Sequence, residues 1–487
     1  MEIIQEAINL HTSSLDLGRF FNPQSIAVVG VSSKGFNFGG SSYLSRILEC
    51  GYKGKLYPIN PKAKEIMGLR VYPSLEALPE VPDLAIVSIA AKRIPDLLET
   101  CGRIGLRHIH LLTAGFKEIG TAEGAALEAQ VVDISRRNGL MVIGPNCMGA
   151  YCPPSGLTPY GASPGIAGPL GIISQSGGIT QRITEYAGSL NVGIDKAVSF
   201  GNAAVLDACD YLEYFAGDEK IKIIAMYLEN VRDGRRLLNL AKAITPEKPI
   251  VMLLGGRSEA GAKTVASHTG AMAGNHAAWD AFFHQAGVVR VETLEDWMDA
   301  ILALGLLPEP KGKGVFISVG GGGKCVIAGD TAMSEGLAVP ELSEATWTAL
   351  REKIQDVGSI VGNPLDNYIT WDSQQLIEVL DLIDKEQACA MVILEHLAPR
   401  GIYHIQQEQH TDTIPTVIEY LKSKTNPKPT VVSIDYDGGD PDLALKGIET
   451  RRRFCTAGIP AYPSVRRAAR ALMHLYRYHS YRQRVIG

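Results

Sequence analysis

Residues 25–34 read SIAVVGVSSK: a short apolar run ends in a loop that begins with glycine. Comparable apolar runs follow at 56–59, 84–87, 109–112 and 140–143, and a helix-like stretch separates each run from the next. Every run ends in small or turn-forming residues. This rhythm predicts a parallel sheet that helices cover on both faces, and ligands bind such sheets beyond the carboxyl ends of the strands.

The same rhythm returns twice along the chain. It resumes after a loop rich in proline and glycine at 153–169, and again after a linker at 308–314. A length of 487 residues also suits about three domains of roughly 100–200 residues each. We therefore predict three successive α/β domains, at residues 1–152, 153–308 and 309–487.

The composition narrows the class of protein. Hydrophobic residues make up 46% of the chain and charged residues 20%, which is ordinary for a globular protein. The net charge of −5 provides no basic field, so we expect no nucleic-acid partner. The 8 cysteines form no C-x-x-C pair, which argues against a zinc ribbon or a disulfide framework and fits a reducing cytoplasm. The sequence contains neither a long apolar stretch nor the features of a signal peptide, so we expect a cytoplasmic protein without a membrane partner. We also expect no metal site.

The loop GVSSKGFNFGG at 30–40 lies between a predicted strand and a predicted helix. Small residues let backbone amides approach a phosphate, and the start of a helix favours negative charge. A plain strand-to-helix turn would look the same in isolation. An NAD site needs an acid at the end of the second strand, but that position reads Asn60-Pro61-Lys62. The lysine favours a phosphorylated ribose instead.

A second polar loop, Gly144-Pro145-Asn146-Cys147, closes the fifth strand at the same predicted sheet edge. The Asn146 side chain carries an amide that suits a hydrogen bond to a ligand. Asparagine beside proline also commonly stabilises a turn, so a purely structural role is the alternative interpretation.

The second predicted domain contains a further glycine loop, SQSGG, at 174–178. Serine caps helices, and successive amides at the start of a helix form an anion-binding nest. The pattern therefore predicts a phosphate site. An ordinary capped helix with a glycine-rich turn is the competing interpretation.

His268 lies in a loop of small residues, ASHTGAMAG, at 266–274. Most histidines are structural or solvent-exposed, but this setting presents an imidazole to a partner surface and a large anion. Glu229 follows the apolar run 223–228, at the predicted ligand edge of the sheet. A carboxylate there can accept Nδ1–H from the histidine and leave Nε2 free as a nucleophile. A solvated strand end is the alternative for Glu229.

With these motifs the sequence resembles the α subunit of the NDP-forming acyl-CoA synthetases, the ADP-forming acetate–CoA ligases related to succinyl-CoA synthetase. The resemblance extends from about residue 21 to the last helix. The matching segments are SIAVVGVSSK, GKLYPINPK, LLTAGFKE, IGPNCMG, ISQSGG, VSFGN, MYLENVRDGRR, GGRSEAGAKTVASHTGAMAG and VGNPLD. Each segment alone is weak, but their order over this length is specific.

The resemblance implies a CoA-binding Rossmann-like domain followed by two flavodoxin-like domains of the succinyl-CoA-synthetase type. It implies that His268 is phosphorylated and that Glu229 steadies it. The residues implied to hold phosphate or phosphohistidine are Ser174, Gln175, Ser176, Gly177 and Gly178. The residues implied to contact CoA are Gly30, Val31, Ser32, Ser33, Lys34, Lys62, Thr113, Ala114, Gly115, Asn146 and Cys147. Of these, Cys147 is expected to be a wall of the CoA channel rather than a nucleophile.

The implied chemistry converts acyl-CoA, phosphate and ADP into a carboxylic acid, CoA and ATP, through acyl phosphate and phosphohistidine. In this family an ATP-grasp domain holds the nucleotide, and the sequence after residue 308 matches the second ligase domain instead. The resemblance therefore implies a separate ATP-grasp β subunit that carries Mg²⁺ and ADP or ATP, in a heterotetramer. The arginine-rich last helix could dock this subunit, although a solvated amphipathic helix is the commoner meaning.

Three positions depart from the family pattern. Ala90-Ala91 replaces a usual proline, Val205 stands where relatives often have an acid, and SVGGGG at 318–323 replaces a typical NAGGPG. The last change leaves the acyl substrate undefined. Two other classes of function remain as alternatives: a non-catalytic CoA sensor or scaffold, and an NAD-dependent dehydrogenase. The complete SHTG loop argues against the sensor, and the absence of an acid at Asn60 argues against the dehydrogenase.

Overall fold

The structure is a computed structural model, and it describes residues 15–32, 39–161, 165–261, 263, 276–354, 360–367, 369–396, 412–435 and 439–486. The predicted site residues Ser33, Lys34 and His268 lie outside the described residues. The chain divides into two compact units. One unit contains Met1–Gly188 and Gly193–Glu292, and the other contains Ser189–Val192 and Thr293–Gly487.

The first sheet is parallel and belongs to the first unit. In chain order its strands and an adjacent hairpin are β1 (Ser25–Val29), β2 (Lys55–Ile59), the hairpin strands β3 (Glu65–Ile66) and β4 (Leu69–Arg70), β5 (Leu84–Val87), β6 (His108–Leu111) and β7 (Met141–Ile143). The order across the sheet is β2-β1-β5-β6-β7. The chain passes from β1 to β2 on one side and then to β5 on the other, so the sheet has its topological switch point at β1.

Helices cover this sheet, as its continuously apolar strands require. The α-helices are α1 (Gly18–Phe21), α2 (Gly40–Glu49), α3 (Ile94–Ile104) and α4 (Ala122–Asn138), and short 3-10 turns lie at Leu75–Ala77, Ala91–Arg93, Lys117–Ile119 and Pro153–Ser155. Helix α4 begins where the Thr121 side chain accepts the amide of Gly124, and it ends at Gly139 with a φ of 61°. Helix α3 buries Ile94 and Leu98 on the face that meets the core.

The second sheet completes the first unit. Its strands are β8 (Gly149–Tyr151), β9 (Leu170–Ser174), β10 (Ile194–Ser199), β11 (Ile223–Leu228), β12 (Ile250–Leu254) and β13 (Val289–Val291). The order across the sheet is β13-β12-β11-β9-β10-β8. The helices that accompany it are α5 (Gly177–Ser189), α6 (Ala208–Gly217), α7 (Gly234–Ile244) and α8 (His276–Ala286).

Strand β8 is the antiparallel edge of an otherwise parallel sheet, and it pairs with β10. It begins only six positions after β7 ends, at Ile143 of the first sheet. Residues 149–151 were expected in the first domain, before the boundary at 152. In the structure these residues form β8, which belongs to the second sheet. The last residues of the predicted first domain are therefore part of the second sheet.

The second unit is built on a third parallel sheet with the order β15-β14-β16-β17-β18. These strands are β14 (Val315–Val319), β15 (Leu365–Asp366), β16 (Met391–Glu395), β17 (Thr430–Ser433) and β18 (Ala461–Tyr462). The accompanying α-helices are α9 (Leu294–Leu306), α10 (Gly322–Ser334), α11 (Glu344–Lys353), α12 (Ser373–Lys385), α13 (Ile414–Ser423), α14 (Pro441–Thr456) and α15 (Val465–Ile486), with a 3-10 turn at Ile369–Trp371. Helix α9, which the sequence analysis assigns to the second domain, belongs to this unit.

The arginine-rich helix α15 uses several of its charges inside the second unit. Arg467 donates from Nη2 to Asp299 Oδ1 at 2.8 Å, and Arg470 donates from Nε to Glu335 Oε2 at 2.9 Å. Burial raises the pKa of Asp299, and the charge of Arg467 opposes that shift. Ion pairs within the unit therefore explain part of the basic pattern that the sequence analysis considered for docking a partner.

The predicted α/β class with parallel sheets is confirmed. Within the described ranges, every helix is too short or too polar to cross a membrane. All eight cysteines are free thiols, in agreement with the absence of a disulfide framework from the sequence pattern.

Candidate active site

A cleft of about 550 Å³ opens at the carboxyl ends of β1 and β2, beside the switch point of the first sheet. Gly30, Val31 and Ser32 line it from the end of β1, and Lys62 lines it from the end of β2. Arg93, just before helix α3, also lines the cleft. The cleft therefore brings together four of the predicted CoA residues and adds an arginine that the sequence analysis missed.

Gly30 gives the first loop its path. Its φ is +96°, and a Cβ at this position would lie 2.1 Å from the carbonyl oxygen of Ser88. Only glycine fits such a position. The next turn is held by Ser41 of α2, whose Oγ accepts the amide of Ser32 at 2.7 Å and donates to the Ser32 carbonyl oxygen at 3.0 Å. Residues 30–32 are thereby held beside the cleft.

Asn60 occupies the position at which an NAD site needs an acid. Its Nδ2 donates to the carbonyl oxygen of Val31 at 2.6 Å, and its Oδ1 accepts the amide of Lys62 at 2.8 Å. The asparagine thus ties the loop after β1 to the loop after β2. This arrangement provides no carboxylate for the two ribose hydroxyls of NAD.

The cleft contains both cations and carboxylates. Lys62 and Arg93 are exposed along it, together with Glu76 and Asp96. Glu76 accepts a hydrogen bond from Arg103 at 2.9 Å, and bonds from its own amide and from Ser74 are the main causes that lower its pKa. Arg103 thus offsets the charge of Glu76, one of the two carboxylates in the cleft. Arg93 ends the short 3-10 turn Ala91–Arg93, and the sequence alone gives no sign that it faces this cleft.

Five predicted CoA residues follow β6 and β7 and do not line this cleft: Thr113, Ala114, Gly115, Asn146 and Cys147. Thr113 donates from Oγ1 to the carbonyl oxygen of Ile89 at 2.9 Å. Gly115 donates its amide to Glu118 Oε1 at 2.6 Å. The predicted CoA residues therefore form two groups, one at the cleft and one at the neighbouring strand ends.

Asn146 has a structural task in the second group. Its φ is 58°, in the left-handed region, and its amide donates to the carbonyl oxygen of Thr113 at 2.9 Å. Its side chain donates from Nδ2 to Asn202 Oδ1 at 3.4 Å. The two interpretations of Asn146 are thus compatible, because the turn that it stabilises holds the loop Gly144–Cys147 in place.

Cys147 is buried, and its Sγ lies 3.6 Å from the carbonyl oxygen of Leu111. Burial raises the pKa of this thiol. A protonated, buried thiol is a poor nucleophile. The place of Cys147 in a wall of the CoA channel stays a prediction.

The SQSGG loop continues β9 into helix α5. Ser174 Oγ accepts the amide of Ser176 at 3.2 Å, and Ser176 Oγ accepts the amide of Ile179 at 3.3 Å. Gly177 and Gly178 follow in the first turn of the helix, where backbone amides have no acceptor within the helix itself. The loop therefore presents amides and the positive end of a helix at the carboxyl edge of the second sheet.

Gln175 connects this loop to Glu229. Its amide donates to the carbonyl oxygen of Tyr227 at 3.1 Å, and its Oε1 accepts the amides of Glu229 at 2.5 Å and Asn230 at 3.0 Å. Both the amide and the side-chain oxygen of Gln175 are therefore used to join two neighbouring strand ends. A direct bond from Gln175 to phosphate stays a prediction, and the described contacts give it a positioning role.

Glu229 is buried at the end of β11, 8% exposed, and its Oε1 accepts a hydrogen bond from Tyr227 Oη at 3.1 Å. Burial, followed by the charge of Glu229, raises the pKa of the Tyr227 hydroxyl, so the tyrosine remains a donor. Gly255 donates its amide to the carbonyl oxygen of Leu228 at 2.8 Å. The segment that runs from β12 toward His268 therefore starts beside Glu229.

The positions that depart from the family pattern have local explanations. Ala91 begins the 3-10 turn that leads to Arg93. Val205, where an acid was expected, packs against the apolar core of the first sheet. Gly321, within the altered glycine loop, donates its amide to Asp366 Oδ1 at 2.5 Å. In the part of the chain that the structure describes, no three side chains of the metal-ligating types converge.

Comparison with known proteins agrees with this arrangement. Residues 24–153 match the family described as CoA binding domain, and residues 167–304 match the succinyl-CoA ligase like flavodoxin domain. The α subunit of ADP-forming acetate–CoA ligase I from Pyrococcus furiosus is 34% identical over 95% of this chain and 98% of that protein. The ADP-forming acetate–CoA ligase I of Archaeoglobus fulgidus is longer: it is 31% identical over 94% of this chain, which spans 63% of it.

A solved structure has the same architecture. The dinucleotide-forming acetyl-coenzyme A synthetase 1 of Candidatus Korarchaeum cryptofilum, in complex with phosphate and ADP, superposes with a TM-score of 0.83 at 31% identity. The match covers 97% of this chain and 98% of that one. The two-sheet first unit and its pair of glycine loops thus define the class of NDP-forming acyl-CoA synthetases, which are acid–thiol ligases. The chain belongs to the family of ADP-forming acetate–CoA ligase α subunits.

Proposed function

We propose that this chain, with a partner, interconverts acyl-CoA, phosphate and ADP with a carboxylic acid, CoA and ATP. Phosphate attacks the thioester carbonyl, the C–S bond breaks, and acyl phosphate and CoA form. Nε2 of His268 then attacks phosphorus, and the carboxylate leaves. Phosphohistidine finally passes its phosphoryl group to ADP, and the reverse sequence makes acyl-CoA. Division into two transfers gives each half-reaction its own preorganised site.

The cleft of the first sheet holds the adenosine end of CoA in this proposal. Lys62 and Arg93 provide cations for its phosphates, and Gly30 lets the backbone approach the ligand. Ser33 and Lys34 continue the same loop. The second group of residues, at the ends of β6 and β7, then faces the thioester end.

The second sheet carries the phosphoryl chemistry. The amides of Gly177 and Gly178 hold phosphate or the phosphoryl group on His268. Glu229 accepts Nδ1–H of the histidine, fixes its tautomer and stabilises the cation that forms on attack. Gln175 keeps the amide loop and Glu229 in register.

The nucleotide and Mg²⁺ bind to a partner chain of the ATP-grasp class in this proposal, and the two chains form a heterotetramer. The α-subunit names of relatives such as that of Pyrococcus furiosus support a partner subunit. A small carboxylic acid or its acyl-CoA is the organic substrate, and neither nucleic acid nor membrane is involved. The free cysteines support a location in a reducing cytoplasm.

One observation carries the proposal: Gln175 joins the amide loop after β9 to Glu229 after β11, beside the start of the segment that contains His268. A CoA-binding scaffold has no need of this second site. An anion nest and a buried carboxylate at adjacent strand ends are the two elements that a phosphohistidine requires, and their proximity supports this chemistry.

The test is phosphorylation of the co-expressed complex. It is incubated with labelled phosphate and acetyl-CoA, butyryl-CoA or phenylacetyl-CoA, chosen to span small, medium and aromatic acyl groups, and separately with labelled ATP. We expect acid-labile, alkali-stable label on His268 that His268→Asn abolishes. The exposed His284 on α8 offers a matched control, and His284→Asn should label normally. Intact CoA binding with no label under any condition would favour the sensor alternative.

A further inference from the structure

We propose that Asn202 is a positioning residue that holds the two thioester-side loops of the first sheet against the phosphate loop of the second. The inference rests on the proposed function. Asn202 belongs to the loop after β10, yet its side chain bonds only to groups of the first sheet's domain among the described residues. Nδ2 donates to Glu118 Oε2 at 2.6 Å and to Glu128 Oε2 at 2.8 Å, and Oδ1 accepts from Asn146.

Glu118 transmits this contact to the loop after β6. Its Oε1 accepts the amides of Gly115 at 2.6 Å and Phe116 at 3.1 Å, while its Oε2 accepts from Asn202. The backbone amide of Asn202 donates to the carbonyl oxygen of Pro145 at 3.1 Å, in the loop after β7. A single residue therefore holds both loops that were predicted to contact CoA and that face its thioester end in the proposed function.

The chemistry of the contact requires an amide. Two carboxylates, Glu118 and Glu128, approach one NH₂ group, which has a hydrogen for each. Burial raises the pKa of Glu128, and the bond from Asn202 opposes that shift. An aspartate at position 202 would place a third carboxylate beside those of Glu118 and Glu128 and would provide no hydrogen for either of them. An alanine would remove both donors from the two carboxylates.

The backbone around Asn202 leaves little room for movement. Gly201 has a φ of +52°, and a Cβ there would lie 2.3 Å from the carbonyl oxygens of Pro145 and Asn146. Ala204 donates its amide to the carbonyl oxygen of Gly144 at 3.1 Å. The loop after β10 is thus packed against the loop after β7 through backbone as well as side chain.

The same loop is anchored to the phosphate site on its other side. Phe200 donates its amide to the carbonyl oxygen of Ser174, the first residue of the SQSGG loop, at 3.0 Å. Asn202 therefore lies between the loops for the thioester and the loop for phosphate. Attack of phosphate on a thioester carbonyl needs the two reactants held close together and correctly oriented, and a misplacement of about 1 Å can cost roughly 100-fold in rate.

The test separates the two half-reactions in the assembled enzyme. For Asn202→Ala we expect phosphorylation of His268 by labelled ATP within about threefold of wild type. Transfer between acyl-CoA and phosphate should fall roughly 100-fold in kcat, with the KM for CoA changed far less because the adenosine cleft is intact. The acyl-CoA is the one of the three tested that labels wild type best. Asn138 is a matched control, because it donates to Glu99 at 3.1 Å on the far end of α4, and Asn138→Ala should leave both half-reactions unchanged.

A pair of further variants guards against misfolding. Asn202→Asp should reduce acyl transfer more than Asn202→Ala does. Glu128→Gln added to it should restore at least part of the lost acyl transfer, because the introduced side-chain amide can donate to the introduced carboxylate. Unchanged acyl transfer in Asn202→Ala would overturn the inference. Equal loss of both half-reactions, or no restoration in the double variant, would also overturn it. Failure of wild type to label with ATP would instead contradict the proposed function itself.

Discussion

Two glycine loops, one in each compact unit, lead from a parallel strand into a helix of 13 residues, yet they treat the start of that helix differently. After β9 the first turn contains Gly177 and Gly178, and the loop's hydroxyls bond to its own backbone. After β14 the carboxylate of Asp366 accepts the amide of Gly321. Among the described contacts, a carboxylate accepts an amide at the start of α10, and none does so at the start of α5.

The charged side chains near the two loops also differ. Lys324, in the first turn of α10, donates to Glu395 Oε1 at 3.1 Å and to Asp435 Oδ2 at 2.7 Å. The loop after β9 uses backbone amides and one buried carboxylate, Glu229. The same strand–glycine–helix pattern thus leads to a loop that bonds to its own backbone in one domain and to an internally neutralised sheet edge in another.

The largest effect should come from Glu229→Gln, which keeps the shape of the site and removes its charge. Loss of one preorganised electrostatic partner costs about 100- to 1,000-fold, so we expect phosphohistidine formation to slow by that factor. Rapid-quench labelling with ATP measures it. Glu185→Gln on α5 is the control, since Glu185 bonds only to neighbours on its own helix among the described contacts. Equal rates in wild type and Glu229→Gln would remove Glu229 from the mechanism.

The next test compares Gln175→Ala with Asp366→Ala. The first change removes the acceptor of two backbone amides and should destabilise the first unit by about 1–3 kcal/mol while slowing phosphorylation of His268. The second removes a bond at a helix start, should cost about 1 kcal/mol and should leave phosphorylation unchanged. Denaturant unfolding and labelling report both quantities. Equal slowing of His268 labelling in Asp366→Ala and Gln175→Ala would contradict the functional difference that we expect between the two loops.

A smaller, pH-dependent effect is expected for Lys324→Met. Burial raises the pKa of Glu395, and Lys324 opposes that shift. Since Lys324 is partly exposed, we expect a loss of about 1–2 kcal/mol at pH 8. The loss should shrink toward pH 5, because Glu395 without its cation takes up a proton more readily and the buried charge disappears. Unfolding curves at the two pH values measure this, and a penalty that grows on acidification would contradict it.

The smallest effects should come from Gly178→Ala and Gly323→Ala. An added Cβ meets nothing within 4 Å at either position. Alanine in a helical turn is favoured over glycine by about 1 kcal/mol at most, so both variants should be slightly more stable. The amide of residue 178 remains, and we expect labelling of His268 within about threefold of wild type. Thermal unfolding measures the stability of each variant against wild type. A lower midpoint for either variant would contradict the expected gain and would indicate strain in that loop.

The sequence predicted the strands well because they are buried on both faces. The runs at 26–29 and 223–226 lie within β1 and β11, whose side chains are almost all buried. Continuous burial leaves a continuous apolar run, which is easily recognised. Strand β8 was missed because GAY, three residues on an edge, has no such signal.

The site was predicted by residue type but not by contact. The loop SQSGG and Glu229 were recognised, and the structure brings them to adjacent strand ends. That Gln175 bonds the backbone of Glu229, and that Asn202 bonds Glu118 and Glu128, depends on pairs far apart in sequence. Arg93 was missed for the same reason, because only the fold shows that it faces the cleft of the first sheet.

The early entry of the chain into the second sheet has a practical consequence for fragments. A cut after residue 152, at the predicted boundary, would take β8 away from β10 and uncover a row of unpaired backbone groups on a flat edge. Such an edge is a template for aggregation. Expression of the second domain alone should therefore give insoluble protein unless the fragment starts before Gly149. A fragment that starts there would also include the end of the loop after β7.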